Sequence, residues 1–293
     1  MYPEFLGIKN LPTYGVCFVV GILASYLVAF FNVRNKKTDI SHEDLLYGST
    51  FAIIGGIIGA KLLAYLVDIP LVVDYLKWAF TQDNTAELLK TLITSGFVFY
   101  GGVLGGALGY FIYARMYKLS VIKFYDNAVC CLPLGHAFGR LGCFAAGCCY
   151  GRPTTSWMGV HYKNPTDPIL KFICDELPGI KFLPVQLFEV GFNLIIFVAL
   201  LLVNRKPRKR GTKMLIYLFS YGTCRFINEF FRFDSSRGFL LRLSTSQWIS
   251  LGLITFGVVY IIVTKYFKRT LADEYPVTEE VVENEQILAV EGN

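Results

Sequence analysis

Apolar residues in this chain come in long runs rather than in stripes. Seven runs, at about 14–32, 45–67, 97–116, 120–139, 185–204, 212–231 and 246–267, are separated by polar stretches. Each approaches the ~20 residues a helix needs to cross the hydrocarbon of a bilayer. A helix that is apolar all round needs lipid or protein on every side. The pattern therefore predicts an all-α polytopic membrane protein with about seven transmembrane helices. The fourth run is the weakest, broken by Asp126, Pro133 and His136; the sixth carries Arg225 and Glu229 near its end.

The polar stretches between the runs set an orientation. Arg34, Lys36 and Lys37 follow the first run, and Arg115, Lys118 and Lys123 lie between the third and fourth. Arg205, Lys206, Arg208, Lys209 and Arg210 lie between the fifth and sixth, and Lys265, Lys268 and Arg269 close the seventh. Seven crossings put all four groups on one face, and the positive-inside rule makes that face cytoplasmic. The expected N-terminus is outside and the C-terminus inside, with the loops at about 68–96, 140–184 and 232–245 outside. Residues 1–269 read as one membrane domain. Residues 270–293, with Asp273, Glu274, Glu279, Glu280, Glu283 and Glu285, read as a disordered acidic cytoplasmic tail. The first run lacks a charged leader segment, so no cleavable signal peptide is expected.

Glycine recurs at helical spacing in two runs. Gly55, Gly56 and Gly59 lie in the second; Gly101, Gly105 and Gly109 lie in the third, with Gly102 and Gly106 beside them. Small residues at this spacing let helices approach closely in lipid, so packing is the expected role. No internal repeat is visible.

Composition agrees with the pattern and narrows it. The 293 residues are 54% hydrophobic and 17% charged, with a mean hydropathy of +0.48. The net charge of +6 does not indicate nucleic acid, because the basic residues gather at the ends of the runs. Among eight cysteines no pair has zinc-finger spacing, and no secreted disulfide framework is indicated. No metal or organic cofactor is expected.

Charges that remain inside or beside the apolar runs are the candidate chemistry, because at membrane depth an unpaired charge costs several kcal/mol. One island is Gly139-Arg140-Leu141-Gly142-Cys143-Phe144-Ala145-Ala146-Gly147-Cys148-Cys149-Tyr150-Gly151-Arg152. The other holds Arg225, Glu229 and Arg232, spaced i, i+4 and i+7 on one expected helical face. Two arginines at such a place suit a phosphate clamp; a snorkelling ion cluster at the headgroups is the plainer reading. His136, Arg140 and Cys143 repeat the spacing if the fourth helix continues. A histidine beside an arginine suits a neutral base, against the plainer reading of a hydrogen-bonded helix histidine. Cys148 and Cys149 read either as nucleophiles near Arg140 and Arg152 or as inert small thiols. Tyr14 and Tyr100 open the first and third runs, where an interfacial aromatic belt is the ordinary role. Lys61 and Asp126 are candidates to pair with each other.

The signature from Gly139 to Arg152 resembles that of the bacterial prolipoprotein diacylglyceryl transferases. Further pieces agree in the same order. They are Tyr14-Gly15, Tyr100-Gly101-Gly102, Pro184-Val185-Gln186-Leu187-Phe188-Glu189, Arg225 through Arg232, and Ser244-Thr245-Ser246-Gln247-Trp248. The resemblance implies transfer of the diacylglyceryl group of phosphatidylglycerol to the lipobox cysteine of a prolipoprotein signal peptide. That reaction releases glycerol phosphate at the outer face of the bacterial cytoplasmic (inner) membrane, and its partners are membrane lipid and that peptide. Arg140 and Arg225 match the family's two essential arginines, Glu229 and Arg232 its supporting pair, and Gly151 and Tyr14 its site positions. The sequence departs from the family where Cys143 and Ala146 replace asparagines, Cys148 replaces an acid, and Tyr100 stands where histidine is frequent. The base is thus left open: dispensable, or supplied by His136 or Tyr100, or lost with a change of reaction. The expected catalytic set is Arg140, Arg225, His136 and Tyr100. Substrate contacts are expected from Tyr14, Gly139, Gly142, Cys143, Cys148, Gly151, Gln186, Glu229 and Arg232. Two alternatives are a relative using Cys148 or Cys149 to carry a lipid or alkyl group to another acceptor, and a lipid or anion transporter. The latter should show midplane sites and repeated halves.

Overall fold

The computed structural model describes residues 11–35, 40–67, 98–204, 211–233 and 238–266, with isolated positions 5, 8, 69, 73, 74 and 77. The acidic tail, the basic stretch 205–210, and nearly all of the loop expected at 68–96 lie outside the described residues. Every apolar run is helical: α1 Thr13–Arg34, α2 His42–Val67, α3 Phe99–Met116, α4 Val121–Ala146, α6 Val185–Val203, α7 Thr212–Asn228 and α8 Thr245–Tyr266, with a short α5 Pro168–Glu176 between α4 and α6. Five of these (α1, α2, α4, α6 and α8) are long and apolar enough to cross a membrane. Helices α3, of 18 residues, and α7, of 17, are not among them.

The chain folds as two compact units, residues 40–124 and the remainder. In the first, α2 packs on α3 along the glycine seam. A Cβ on Gly55 would collide with the Gly105 carbonyl oxygen, one on Gly59 with that of Gly101, and one on Gly109 with that of Phe51. Backbone meets backbone here, which only glycine permits. Ser41 caps α2 by accepting from the Asp44 N–H at 2.9 Å, and the Tyr113 hydroxyl donates to Asp44 Oδ1 at 2.8 Å.

In the second unit α1, α4, α6, α7 and α8 alternate in direction. At one end Asn204 Nδ2 donates to Asn32 Oδ1 at 3.1 Å, joining the ends of α6 and α1. There the Asp126 carboxylate accepts from Gly211 N at 2.7 Å and Met214 N at 3.2 Å, capping α7. The Asp126 carboxylate, which the sequence offered as a partner for Lys61, here satisfies two backbone donors that α7 leaves open. At the other end the start of α1, the end of α4, the start of α6, the end of α7 and the start of α8 converge.

Two boundaries differ from the sequence expectation. Helix α4 does not stop at 139; it runs through Gly139 and Gly142 to Ala146. It stops at Gly147, whose φ of 74° lets Gly147 N reach Phe144 O (3.2 Å) and Cys148 N reach Cys143 O (3.1 Å). This is a Schellman ending, so Arg140 lies within the helix rather than in a loop. Helix α7 tightens after Asn228 into a 3-10 turn, Glu229–Phe231, and Arg232 leaves the helix with φ −76° and ψ 151°. The three charges of this island therefore do not share one helical face. The backbone is drawn away by an antiparallel bridge to the signature: Arg152 N donates to Phe231 O at 2.9 Å and Phe233 N to Tyr150 O at 3.1 Å.

The segment expected as an outer loop is itself folded. Tyr150, Tyr162, Leu170 and Phe182 form a buried cluster beneath α5, and Asp167 caps α5 by accepting from Leu170 N at 2.8 Å. Before α8 the strands β1 Phe239–Leu240 and β2 Leu243–Ser244 form a two-residue hairpin, tied down by Trp248 Nε1 donating to Leu240 O at 2.9 Å.

Candidate functional site

The converging helix ends bring the two charged islands together. Glu189, on the first turns of α6, is the hinge of the arrangement. Its Oε2 pairs with Arg140 Nε of α4 and its Oε1 with Arg225 Nη1 of α7. Asn228 Nδ2 adds a third donor to the carboxylate, to Oε1 at 3.0 Å. Arg225 Nη2 then pairs with Glu229 Oε2 at 2.7 Å and donates to Ser246 Oγ of α8 at 2.8 Å; Arg232 Nη1 reaches the same Glu229 oxygen at 3.6 Å. The result is an alternating chain, Arg140–Glu189–Arg225–Glu229–Arg232. Three guanidiniums against two carboxylates leave one positive charge of excess among these five groups. Burial of this chain is tolerable only because each charge meets its opposite and further hydrogen bonds.

Accessibility separates the two arginines. The Arg225 side chain is 4% exposed and engaged on three sides, whereas that of Arg140 is 14% exposed and meets Glu189 through its Nε edge. Arg140 is therefore the guanidinium best placed to meet a ligand.

Around this chain the structure gathers most of the residues singled out in the sequence. Gln186, one turn before Glu189, is fully enclosed; its Nε2 donates to Cys148 O at 2.7 Å and its Oε1 accepts from the Tyr162 hydroxyl at 3.0 Å. Burial raises the Tyr162 phenol above its ordinary proton affinity and keeps it a donor. Gly151 has no room for a Cβ, which would lie 2.6 Å from Leu183 O. A Cβ on Gly142 would lie 3.1 Å from Tyr14 Cα and from the Tyr14 ring, so this glycine is where α1 and Tyr14 press onto α4. A Cβ on Gly139, in contrast, would meet nothing within 4 Å among the described residues. His136 follows on α4 with its ring centroid 5.1 Å from that of Tyr221, in electrostatic reach of Arg140, Glu189 and Arg225. Tyr100 opens α3 in the other unit and packs edge-on against Phe99 at 5.7 Å.

Cys143, Cys148 and Cys149 bring their three Sγ atoms within 4.8 Å of one another, and all eight cysteines are free thiols. The Schellman turn and a left-handed Cys149, with φ of 60°, fold the three sulfurs to one side. The Cys148 thiol donates to Cys143 O at 3.7 Å, and Arg232 and Arg140 lie in electrostatic reach of Cys149.

Three residues that hold this chain together were not among the expected site residues: Glu189, Asn228 and Ser246. Glu189 had a signal, being an acid within the apolar run of α6. Asn228 and Ser246 lay within the motifs that carry the resemblance, but as small polar residues at helix ends they gave no signal of their own. A groove of about 470 Å³ opens between α6 and α7, lined by Phe192, Ile195, Ile196, Phe219 and Thr223 among others. Its apolar walls would accept a hydrocarbon chain.

A family model described as prolipoprotein diacylglyceryl transferase matches residues 3–263. The chain is 36% identical over 267 residues to the phosphatidylglycerol–prolipoprotein diacylglyceryl transferase of Clostridium tetani, covering 91% of this chain and 98% of that protein. It is 31% identical over 256 residues to a transferase of the same name, numbered 2, from Clostridium perfringens, covering 87% and 91%. The Dehalococcoides mccartyi protein of that name is 30% identical over 249 residues, covering 85% and 87%.

Proposed function

The chain belongs to the prolipoprotein diacylglyceryl transferase family, and we propose that it moves the diacylglyceryl group of phosphatidylglycerol onto the lipobox cysteine thiol of bacterial prolipoproteins. The observation that carries the reading is Glu189 shared between Arg140 and Arg225. It holds two guanidiniums at one place in an apolar surrounding, with one positive charge in excess among the five linked groups.

The chemistry follows from that charge. The donor is a phosphodiester with one negative charge. When the glyceryl C–O bond breaks, the departing glycerol phosphate gains a second. Arg140 presents its terminal nitrogens to the phosphate; Arg225, fixed by Glu189, Glu229 and Ser246, backs Glu189 and supplies the field. Groups already oriented before charge develops lower the barrier, because little reorganisation is needed at the moment of reaction. The acceptor attacks as a thiolate, since the thiol itself is a poor nucleophile. Tyr14, Gly139, Gly142 and Gly151 shape the space beside Arg140, and the groove between α6 and α7 receives an acyl chain. Both substrates enter sideways from the membrane. His136 is the candidate proton acceptor within this unit; Tyr100, offered by the sequence for the same role, belongs to the unit of residues 40–124, and a dispensable base stays open.

We assign seven crossings, α1 to α4 and α6 to α8, of the bacterial inner membrane. The N-terminus is outside, the C-terminus is cytoplasmic, and residues 1–269 form the catalytic domain. The support is the basic residues at one set of helix ends and the charged chain at the other. The reaction then lies at the outer face.

The test is release of glycerol phosphate by the purified protein. Release should need phosphatidylglycerol and a lipobox peptide together. Release without the peptide, or none with both, would count against the reading.

A further inference from the structure

We propose that Cys143, Cys148 and Cys149 hold a thiophilic divalent ion of the zinc type, with its fourth position open to the acceptor thiol. The proposal rests on the reading of the chain as a thiol-alkylating transferase and adds a source for the thiolate that the reaction needs.

Geometry carries the inference. Three Sγ atoms lie within 4.8 Å of one another. Zinc–sulfur bonds of ~2.3 Å place ligand sulfurs about 3.8 Å apart in a tetrahedron, so closing the cluster takes shifts below about 1 Å. Three protein ligands with one open position are the pattern of reactive zinc, whereas four closed ligands are the pattern of structural zinc. Sulfur ligands also select such an ion over magnesium or calcium.

The sulfurs are held from behind. Cys148 N donates to Cys143 O at 3.1 Å, and Gln186 Nε2, itself held by Tyr162, donates to Cys148 O at 2.7 Å. Cys149 takes a left-handed backbone at φ 60°, costly for a residue with a Cβ and unnecessary for filling space. Charge is also complementary. Three thiolates and a divalent ion sum to −1, and an acceptor thiolate makes −2. Arg140 and Arg232 lie in electrostatic reach of the cluster.

The step balances without a redox partner. The acceptor RSH binds as RS⁻ and its proton passes to water, because metal coordination deprotonates a thiol. The sulfur lone pair attacks the glyceryl CH₂ bonded to the phosphate. A C–S bond forms as the C–O bond breaks, and the electron pair leaves on glycerol phosphate, beside Arg140. The product thioether is neutral, a poorer ligand, and vacates the ion.

The full chain, purified in detergent with its thiols reduced, should retain one equivalent of Zn²⁺ through desalting. Co²⁺ in its place should give thiolate-to-cobalt charge-transfer bands and the visible bands of a tetrahedral ion. A lipobox peptide should shift those bands, and its serine counterpart should not. Cys143→Ser, Cys148→Ser and Cys149→Ser should each weaken binding by at least about tenfold, while Cys174→Ser, on α5, should not. The zinc-free enzyme should transfer at least about tenfold more slowly and recover with Zn²⁺. A chain that binds no stoichiometric ion, or a zinc-free enzyme with full turnover, overturns the proposal and leaves the transferase reading standing. A peptide-sensitive cobalt site without diacylglyceryl transfer upholds the ion and thiol site and refutes the lipid reading.

Discussion

Lysine at position 140 or 225 would keep the charge and lose the fork. Arg225 uses its two terminal nitrogens on Glu189, Glu229 and Ser246, and one ammonium cannot span those partners. Arg140→Lys and Arg225→Lys should each leave turnover close to that of the alanine variants; near-normal turnover by both would sink the clamp. Glu189→Ala should go further. It leaves two buried guanidiniums without their shared counter-ion, at a cost of about 3–5 kcal/mol, readable as a fall in thermal stability in detergent. Legibility at this scale was uneven. The arginines announced themselves because charge in an apolar run is costly. Glu189 carried the same signal but stood in a motif where only Gln186 was expected to act. The convergence of the thiols was hidden, since it depends on Gly147 ending α4 and on the left-handed Cys149, and spacing alone encodes neither.

Among the elements, the α2–α3 seam gives the sharpest contrast. Gly105 faces the Gly55 carbonyl, whereas a Cβ on Gly102 would stand 3.6 Å from its nearest neighbours, in ordinary contact. Gly105→Ala should cost about 1–3 kcal/mol through overpacking, and Gly102→Ala should be nearly silent in the same thermal melt. Equal effects would mean that helix propensity, not close approach, governs the seam. The helices themselves were readable from hydrophobic runs to within a few residues, except at two ends. Helix α4 passes three glycines and Pro133, because tertiary packing outweighs their weak intrinsic preference. Helix α7 ends early, because the bridge to the signature competes for its backbone. The folded segment between α4 and α6 was not legible, since its aromatic cluster is built from residues scattered over more than thirty positions.

For the whole molecule, the basic residues predict a sidedness that the chemistry needs. In a vesicle assay, a membrane-impermeant thiol reagent applied from outside should add label at Asn164→Cys, an exposed site between α4 and α5. It should add none at Lys206→Cys, in the basic stretch between α6 and α7. The reverse pattern would place the charged chain at the cytoplasmic face and overturn the orientation. The run pattern foretold a polytopic helical chain, but not its division into two compact units, because the glycine seam that makes residues 40–124 one unit has the same composition as any close helix contact.

The central claim is that this site alkylates a thiol with a diacylglyceryl group, and mass spectrometry of the acceptor tests it most directly. Purified protein, phosphatidylglycerol of defined acyl chains and a lipobox peptide should yield a peptide heavier by one diacylglyceryl unit. That unit should be linked to the cysteine sulfur as a thioether stable to hydroxylamine, and it should be absent with Arg140→Ala. An unmodified peptide, or one heavier by a single acyl group released by hydroxylamine, would contradict the account.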